Sequence, residues 1–164
     1  CDEITAYQIH DMLQESLVDG NLKEEASALS RQPFTGGVKT GTTHEFADGW
    51  CVGYNGKVAF GVWVGFHQGK KAIHENAFGR HLAFGPWAEV MNVAEESYPG
   101  IEIKPPEGLT PVKVCRESGL LATRYCYEQV EDPVKGRSFR YAGYTAMLRS
   151  SRTKLGLCDT HGKG

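Results

Sequence analysis

Lys39 stands in the run Gly37-Val38-Lys39-Thr40-Gly41-Thr42-Thr43, and Asp48-Gly49-Trp50-Cys51-Val52-Gly53-Tyr54 follows it closely. Stripping water from a lysine on a strand is costly, so an ammonium flanked by two hydroxyls and a glycine fits a cleft in which an anion compensates it. That chemistry reads a carboxylate. Gly41 leaves no side chain between the backbone and a molecule lying alongside, and free N–H groups on an exposed strand edge can stabilise a developing oxyanion. For the Lys-Thr-Gly triplet alone, a surface strand with an ordinary lysine remains the default, because three residues recur by chance.

The surrounding elements must hold that strand. Ile9, Met12, Leu13, Ser16 and Leu17 fall at helical spacing after Asp2-Glu3, which predicts an amphipathic helix over residues 3–19 ended by Asp19-Gly20. Gly36 to Thr43 reads as a strand. Trp50, Val52 and Tyr54 alternate, Asn55-Gly56 marks a two-residue hairpin turn, and Val58, Phe60, Val62, Val64 and Phe66 continue with period two. The expected result is an α+β fold with an antiparallel sheet of about three strands. A loop over residues 67–83 follows, then a covering helix with Pro86 at its first position and Trp87, Val90, Met91 and Ala94 on one stripe. Tyr98-Pro99-Gly100 and Pro105-Pro106-Glu107-Gly108 mark an edge, which divides the chain into 1–104 and 105–164. The second part shows only a short strand-like piece, Val112 to Cys115, and is otherwise expected to be an irregular extension.

The sequence has 164 residues, 40% of them hydrophobic and 10% aromatic, enough for one sizeable core. Glycine, at 20 residues, exceeds the usual ~7% and favours turns and close backbone approaches. A net charge of −2 supplies no global reason to bind nucleic acid or an anionic membrane. The charge is nevertheless uneven: residues 133–164 hold seven basic side chains (Lys135, Arg137, Arg140, Arg149, Arg152, Lys154, Lys163) against Asp159 alone. A solvated tail is preferred there over a surface for anions. No apolar run reaches the ~18 residues of a membrane helix. The chain opens on Cys1 rather than methionine and passes at once into a helical pattern, so a piece of something longer is expected; a lipidated Cys1 is disfavoured because no flexible spacer follows it.

Taken together, Lys39-Thr40-Gly41-Thr42-Thr43, Asp-x-Trp-x-Val-Gly-Tyr, the hairpin, Gly61-Val62-Trp63-Val64-Gly65 and a helix opening Pro86-Trp87 with Met91 resemble the penicillin-binding protein transpeptidases, of the class A bifunctional kind. The likeness begins at Ala6-Tyr7-Gln8 and Met12-Leu13-Gln14 and runs to about residue 100. Val114-Cys115, Ser118-Gly119-Leu120-Leu121-Ala122-Thr123 and Cys126 resemble the stretch that follows that domain. The resemblance implies part of a serine β-lactamase/transpeptidase-like fold and of a D,D-transpeptidase. Its substrates would be peptidoglycan stem peptides ending in D-Ala-D-Ala, and β-lactams would trap the same serine. It implies no cofactor, no nucleic-acid partner, a location outside the cytoplasm, and membrane attachment only through a segment absent from this sequence. Lys39 and Thr42 would be catalytic, and Lys39, Thr40, Gly41, Thr42 and Thr43 would contact substrate, with Thr42 lending its N–H to the oxyanion. Trp50 and Tyr54 would pack behind the strand.

The sequence departs from that family in one respect that matters. No Ser-x-x-Lys and no Ser-x-Asn precede Lys39, so a missing N-terminal part of the same protein would have to supply the nucleophile, and this chain alone is expected to be inactive. Ser151-Arg152-Thr153-Lys154 spells Ser-x-x-Lys after the strand, without an apolar helix, and is taken as coincidence. Val38 and Cys51, where the family usually has glycine and phenylalanine, are minor departures. A lone sheet with an uncovered face and edge could self-associate. Hydrolysis, as in a D,D-carboxypeptidase or β-lactamase, and a non-catalytic wall-binding module built on the basic segment are the alternatives. Cys51 is expected to be buried. Export, which the resemblance implies, makes Cys115 and Cys126 the disulfide candidates. A zinc site from Cys115, Cys126 and Cys158-Asp159-Thr160-His161 is the weaker alternative, since no Cys-x₂-Cys hook is present; no metal is expected. His44 could line the cleft mouth but fits a polar loop better, and His67, His74 and His81 read as solvated.

Overall fold

The structure, a computed structural model, describes residues 1–67, 71–132 and 136–162; part of the histidine-rich loop, and Lys135 and Lys163 of the basic segment, lie outside the described residues. The chain forms two compact units, Ile9–Lys104, and Cys1–Gln8 together with Pro105–Gly164.

Helix α1 (Glu3–Val18) starts at Asp2, whose carboxylate accepts the Thr5 N–H at 3.0 Å and the Thr5 hydroxyl at 2.8 Å. Those bonds, the backbone one first, together with Arg149, hold the Asp2 carboxyl down at about 2. The buried positions of α1 are His10 and Leu17, while Ile9 and Met12 are exposed. The inward stripe is thus rotated from the expected one, because the His10 ring is taken up by Tyr54: its Nδ1 lies 3.0 Å from the Tyr54 hydroxyl. Burial pushes His10 down and Tyr54 up.

Strands β1 (Gly37–Thr42), β2 (Asp48–Tyr54) and β3 (Ala59–Gly65) make an antiparallel sheet in that order, with Lys39 opposite Val52, Gly41 opposite Trp50, and Trp50 opposite Trp63. The hairpin after β2 stands where expected, but its two turn residues are Gly56 and Lys57. Asn55 is fully buried and its amide N–H donates to the Val58 carbonyl at 3.1 Å. Its side chain accepts from the N–H groups of Lys57 and Val58 and donates to Glu95 at 2.6 Å and to the Tyr98 carbonyl at 2.9 Å. Glu95 also accepts from Arg31 and from the Gly100 N–H. Burial raises the Glu95 carboxyl, but the Gly100, Asn55 and Arg31 donors outweigh it and leave it lowered.

One face of the sheet is covered. Short helix α2 (Gly79–Leu82), in the expected loop, leads into helix α3 (Phe84–Ser97), which buries Phe84, Trp87, Ala88 and Met91. Val90 is 51% exposed, a correction to the expected stripe: Phe84, one turn ahead of Ala88, sets the inward face. Trp87 meets Phe34, Phe60 and Phe84 at ring distances of 6.0, 5.7 and 5.8 Å. A Cβ at Gly53 would stand 2.3 Å from the Trp87 ring, so the strand is bare there to admit the indole. Val38 and Cys51 join this core, and burial lifts the Cys51 thiol to about 12.

In the second unit β4 (Leu109–Cys115) pairs with β7 (Gly143–Arg149), and β5 (Tyr127–Asp132) with β6 (Gly136–Tyr141), all antiparallel. The α+β class stands, but the extension expected to be irregular carries four strands. Two-stranded ladders leave both faces largely to solvent, so they show little of the apolar alternation from which strands are read. Two of its arginines are held rather than free in a solvated tail: Arg140 pairs with Glu128 at 2.6 Å and Arg149 with Asp2 at 2.9 Å. No helix among the described residues is long and apolar enough to cross a membrane.

Candidate functional site

Among the described residues, strand β1 pairs with β2 only and borders the sheet. The Thr43 N–H donates to the Asp48 carbonyl at 3.0 Å, so the antiparallel alternation turns the backbone groups of Lys39, Gly41 and Thr43 toward β2 and those of Val38, Thr40 and Thr42 toward the open edge. Two contacts agree with that phase: the Lys39 ammonium donates to the Thr40 carbonyl at 2.7 Å, and the Ser16 hydroxyl lies 3.5 Å from the Val38 carbonyl. Thr42 therefore presents its N–H to the edge.

Side chains alternate the other way. Val38 is buried against the core, whereas Lys39 and Gly41 lie on the opposite, uncovered face with Val52, Trp50 and Trp63. Here the expectation for Trp50 is corrected: it is 44% exposed, in front of the sheet, at 6.4 Å from the Trp63 ring. Its register opposite Gly41 and Trp63 puts it on the Lys39 face. Tyr54 does not pack behind either: in phase with Trp50 and Val52, it lies on their face of the sheet, at the end that α1 covers, against Gly37, Leu13 and His10.

The end of β1 is tied from both sides. The Thr42 hydroxyl accepts the Gly79 N–H at 2.9 Å, which leaves its own proton to donate. Gly79 must be glycine: a Cβ there would lie 2.1 Å from the Gly41 carbonyl oxygen. The Thr43 hydroxyl accepts the Asp48 N–H at 2.8 Å and contacts the Asp48 carboxylate at 3.1 Å, while the other Asp48 oxygen accepts the Trp63 indole N–H at 2.8 Å. Asp48, Trp63 and Gly79 were not singled out as site residues. The Asp-x-Trp spacing could have pointed to Asp48, but nothing local ties Gly79 to Thr42 across 37 positions.

Lys39, Thr40, Gly41, Thr42 and Thr43 are thus contiguous on an accessible strand. Ser151 is exposed in a single 3-10 turn, Ser150–Arg152. His44, His67, His74 and His81 are all exposed. Cys115 and Cys126 are buried free thiols, and with Cys158 and His161 they bring four ligand-type atoms within 4.8 Å of one another. The Ser118 hydroxyl foremost, with His161, pulls the Cys158 thiol down to about 6. Burial raises Cys126; at Cys115 burial is outweighed by the backbone N–H groups of Ser118 and Glu117, and the thiol is lowered.

The fold matches the crystal structure of penicillin-binding protein 1A from Haemophilus influenzae with a TM-score of 0.65 at 21% identity, covering 87% of this chain and 21% of that one. Residues 105–134 match the family model for the penicillin-binding protein 1A C-terminal domain. Penicillin-binding protein 1A of Pseudomonas aeruginosa is 32% identical over 137 residues, covering 84% of this chain and 14% of that protein. The Aquifex aeolicus protein of the same name is 34% identical over 71% of the chain and 15% of its own length. The chain belongs to the class A penicillin-binding proteins and corresponds to a C-terminal portion of them.

Proposed function

We propose that this chain supplies the Lys-Thr-Gly strand to a peptidoglycan D,D-transpeptidase, the rest of whose site lies in the longer protein of which it is a portion. The observation that supports this most directly is the division of labour on β1: the Lys39 ammonium and bare Gly41 on the uncovered face, and the Thr42 N–H on the open edge. A stem peptide lying along that edge as an added strand would place its terminal carboxylate by Lys39 and the hydroxyls of Thr40, Thr42 and Thr43. The scissile carbonyl then falls within reach of the Thr42 N–H. In the reaction a serine oxygen from the remainder of the enzyme bonds to that carbonyl carbon. The C–N bond breaks, D-Ala leaves as the amine with the serine's proton, and the amine of a second stem displaces the serine. A β-lactam amide opens on the same serine. Such an enzyme acts outside the cytoplasm, tethered through a segment absent from this sequence. The exposed Trp50, Val52 and Trp63 beside Lys39 are the surface that the remainder of the domain would cover.

The test is acylation of the longer protein by a fluorescent penicillin. Lys39→Ala should slow labelling by about 10²–10³-fold, the loss expected for one preorganised electrostatic contact, with the melting temperature unchanged. Wild-type labelling kinetics in that variant would overturn the reading. The 164-residue chain alone should form no stable adduct; a labelled band that vanishes on Ser151→Ala would show that the nucleophile had been misassigned.

A further inference from the structure

The second unit has almost no aliphatic interior. Among the described residues its buried cluster is Cys115, Cys126, Ala142 and Cys158, with Ala122 and Tyr141 packed against it, while Tyr127, Phe139 and Leu157 are exposed. A body of this size with so small an apolar core ordinarily needs a covalent or metal staple.

Backbone pairing brings the thiols together from distant parts of the chain. The Cys115 N–H donates to the Leu120 carbonyl and the Cys158 N–H to the Leu121 carbonyl, both at 2.8 Å, and the Cys126 carbonyl accepts the Ala142 N–H at 2.8 Å. His161 completes the group: its Nδ1 lies 3.4 Å from the Cys115 sulfur and 3.3 Å from that of Cys158. With metal–sulfur bonds near 2.3 Å and metal–nitrogen bonds near 2.0 Å, a tetrahedral centre places sulfur and nitrogen about 3.5 Å apart and two sulfurs about 3.7 Å apart. The observed ceiling of 4.8 Å on every pair lies within a small contraction of that geometry.

Two features outside the four atoms fit the same ligand set. The Glu117 carboxylate stands 3.5 Å from His161 Nε2, on the far side of the ring, where it would hold the ring proton and leave the Nδ1 lone pair toward the thiols. The Thr123 N–H donates to the Cys126 sulfur at 3.2 Å, a backbone donor placed to orient that sulfur and to support a metal-bound thiolate. A Cys115–Cys126 disulfide would engage two of the sulfurs and leave the convergence of Cys158, His161 and Glu117 without a purpose.

We infer that Cys115, Cys126, Cys158 and His161 form a closed, structural zinc site that holds the C-terminal unit together. Three thiolates and one imidazole suit a tetrahedral ion without redox chemistry, and with all four positions filled by protein the site has none open for catalysis. Zinc displaces the thiol protons on binding, so affinity falls with acid. The inference is independent of the acyl-transfer reading, which concerns the other unit.

The 164-residue chain, purified with a reductant and without chelator, should carry one zinc per chain by elemental analysis, with two thiols, Cys1 and Cys51, outside the ligand set. Cobalt substituted for zinc should give thiolate-to-metal charge-transfer absorption. Glu117→Gln, which leaves every ligand in place, should weaken zinc binding about 10–100-fold. Cys158→Ser should abolish the cobalt charge-transfer intensity expected for three sulfurs; because that variant could misfold, the wild-type stoichiometry and Glu117→Gln carry the test without it. A wild-type chain that takes up neither metal, or one whose mass shows Cys115 bonded to Cys126, would overturn the assignment.

Discussion

Gly79→Ala should disturb the site through the strand that it supports. The new methyl would sit 2.1 Å from the Gly41 carbonyl oxygen and 2.8 Å from that of Trp50, both backbone atoms that cannot rotate away. Ordinary contact between carbon and oxygen needs about 3.2–3.5 Å, so β1 and the start of α2 must part by roughly 1 Å. The Gly79 N–H leaves the Thr42 hydroxyl in the process. Overpacking of this kind costs about 1–3 kcal/mol, which in a unit of this size lowers the melting temperature by about 4–8 °C per kcal/mol. A displacement of 1 Å at groups that position a substrate costs on the order of 10²-fold in rate. Stopped-flow acylation of the longer protein by a penicillin, beside a thermal melt, reads both. Gly85→Ala is the matched control: a Cβ there meets nothing within 4 Å and lies in α3, so it should leave acylation alone and stabilise by about 0.5–1 kcal/mol. Equal acylation rates in the two variants would refute the reasoning, since the clash would then have been absorbed without reaching Thr42.

Two further outcomes concern stability. Trp87→Ala removes the indole at the centre of the core, where it touches three other aromatic rings and donates to the Phe60 carbonyl at 3.3 Å, and should cost about 3–5 kcal/mol in urea unfolding; a loss under 1 kcal/mol would mean that the core collapses freely into the gap. Glu95 is depressed in the folded state, so its contribution is full above the ordinary carboxyl range and fades as pH falls through the lowered folded value. Glu95→Gln should therefore cost about 1–2 kcal/mol at pH 7, discounted because Arg31 is partly exposed, and should flatten the acid limb of the stability curve. An unchanged acid limb would move that pH dependence to other carboxyls.

Legibility in the sequence followed how local each cause is. The three-stranded sheet could be read because Val58, Phe60, Val62 and Val64 carry a period-two signal against one core, and a one-residue slip would reverse every side chain. The same alternation misled at Trp50, since an indole reads as core until the register sets it opposite Gly41 and Trp63 on the uncovered face. In α1 the apolar Ile9 and Met12 suggested the wrong stripe, because the buried position went to His10, whose partner Tyr54 lies 44 residues away. The hairpin turn moved by one residue for a similar reason: Asn55 satisfies Glu95 and Tyr98, contacts that no short window contains. In the C-terminal unit the strands were hidden because no hydrophobic face accompanies them, and the sulfur cluster because its ligands come from three separate stretches of chain, the end of β4, the approach to β5 and the C-terminal segment, joined by backbone bridges.

Lys39 admits two physical roles that simple removal would confuse. A lysine on an open edge strand also guards against edge-to-edge pairing, and the exposed aromatic face beside it raises that hazard. Charge reversal separates them. Lys39→Glu keeps a hydrated charge on the edge and should preserve solubility, yet it repels a carboxylate and should abolish acylation more completely than Lys39→Ala. Lys39→Arg keeps both the charge and its sign, and should stay soluble while recovering part of the rate. If Lys39→Glu acylated as fast as wild type while Lys39→Ala aggregated, the ammonium would be a guard of the edge and the carboxylate-reading role of β1 would fall.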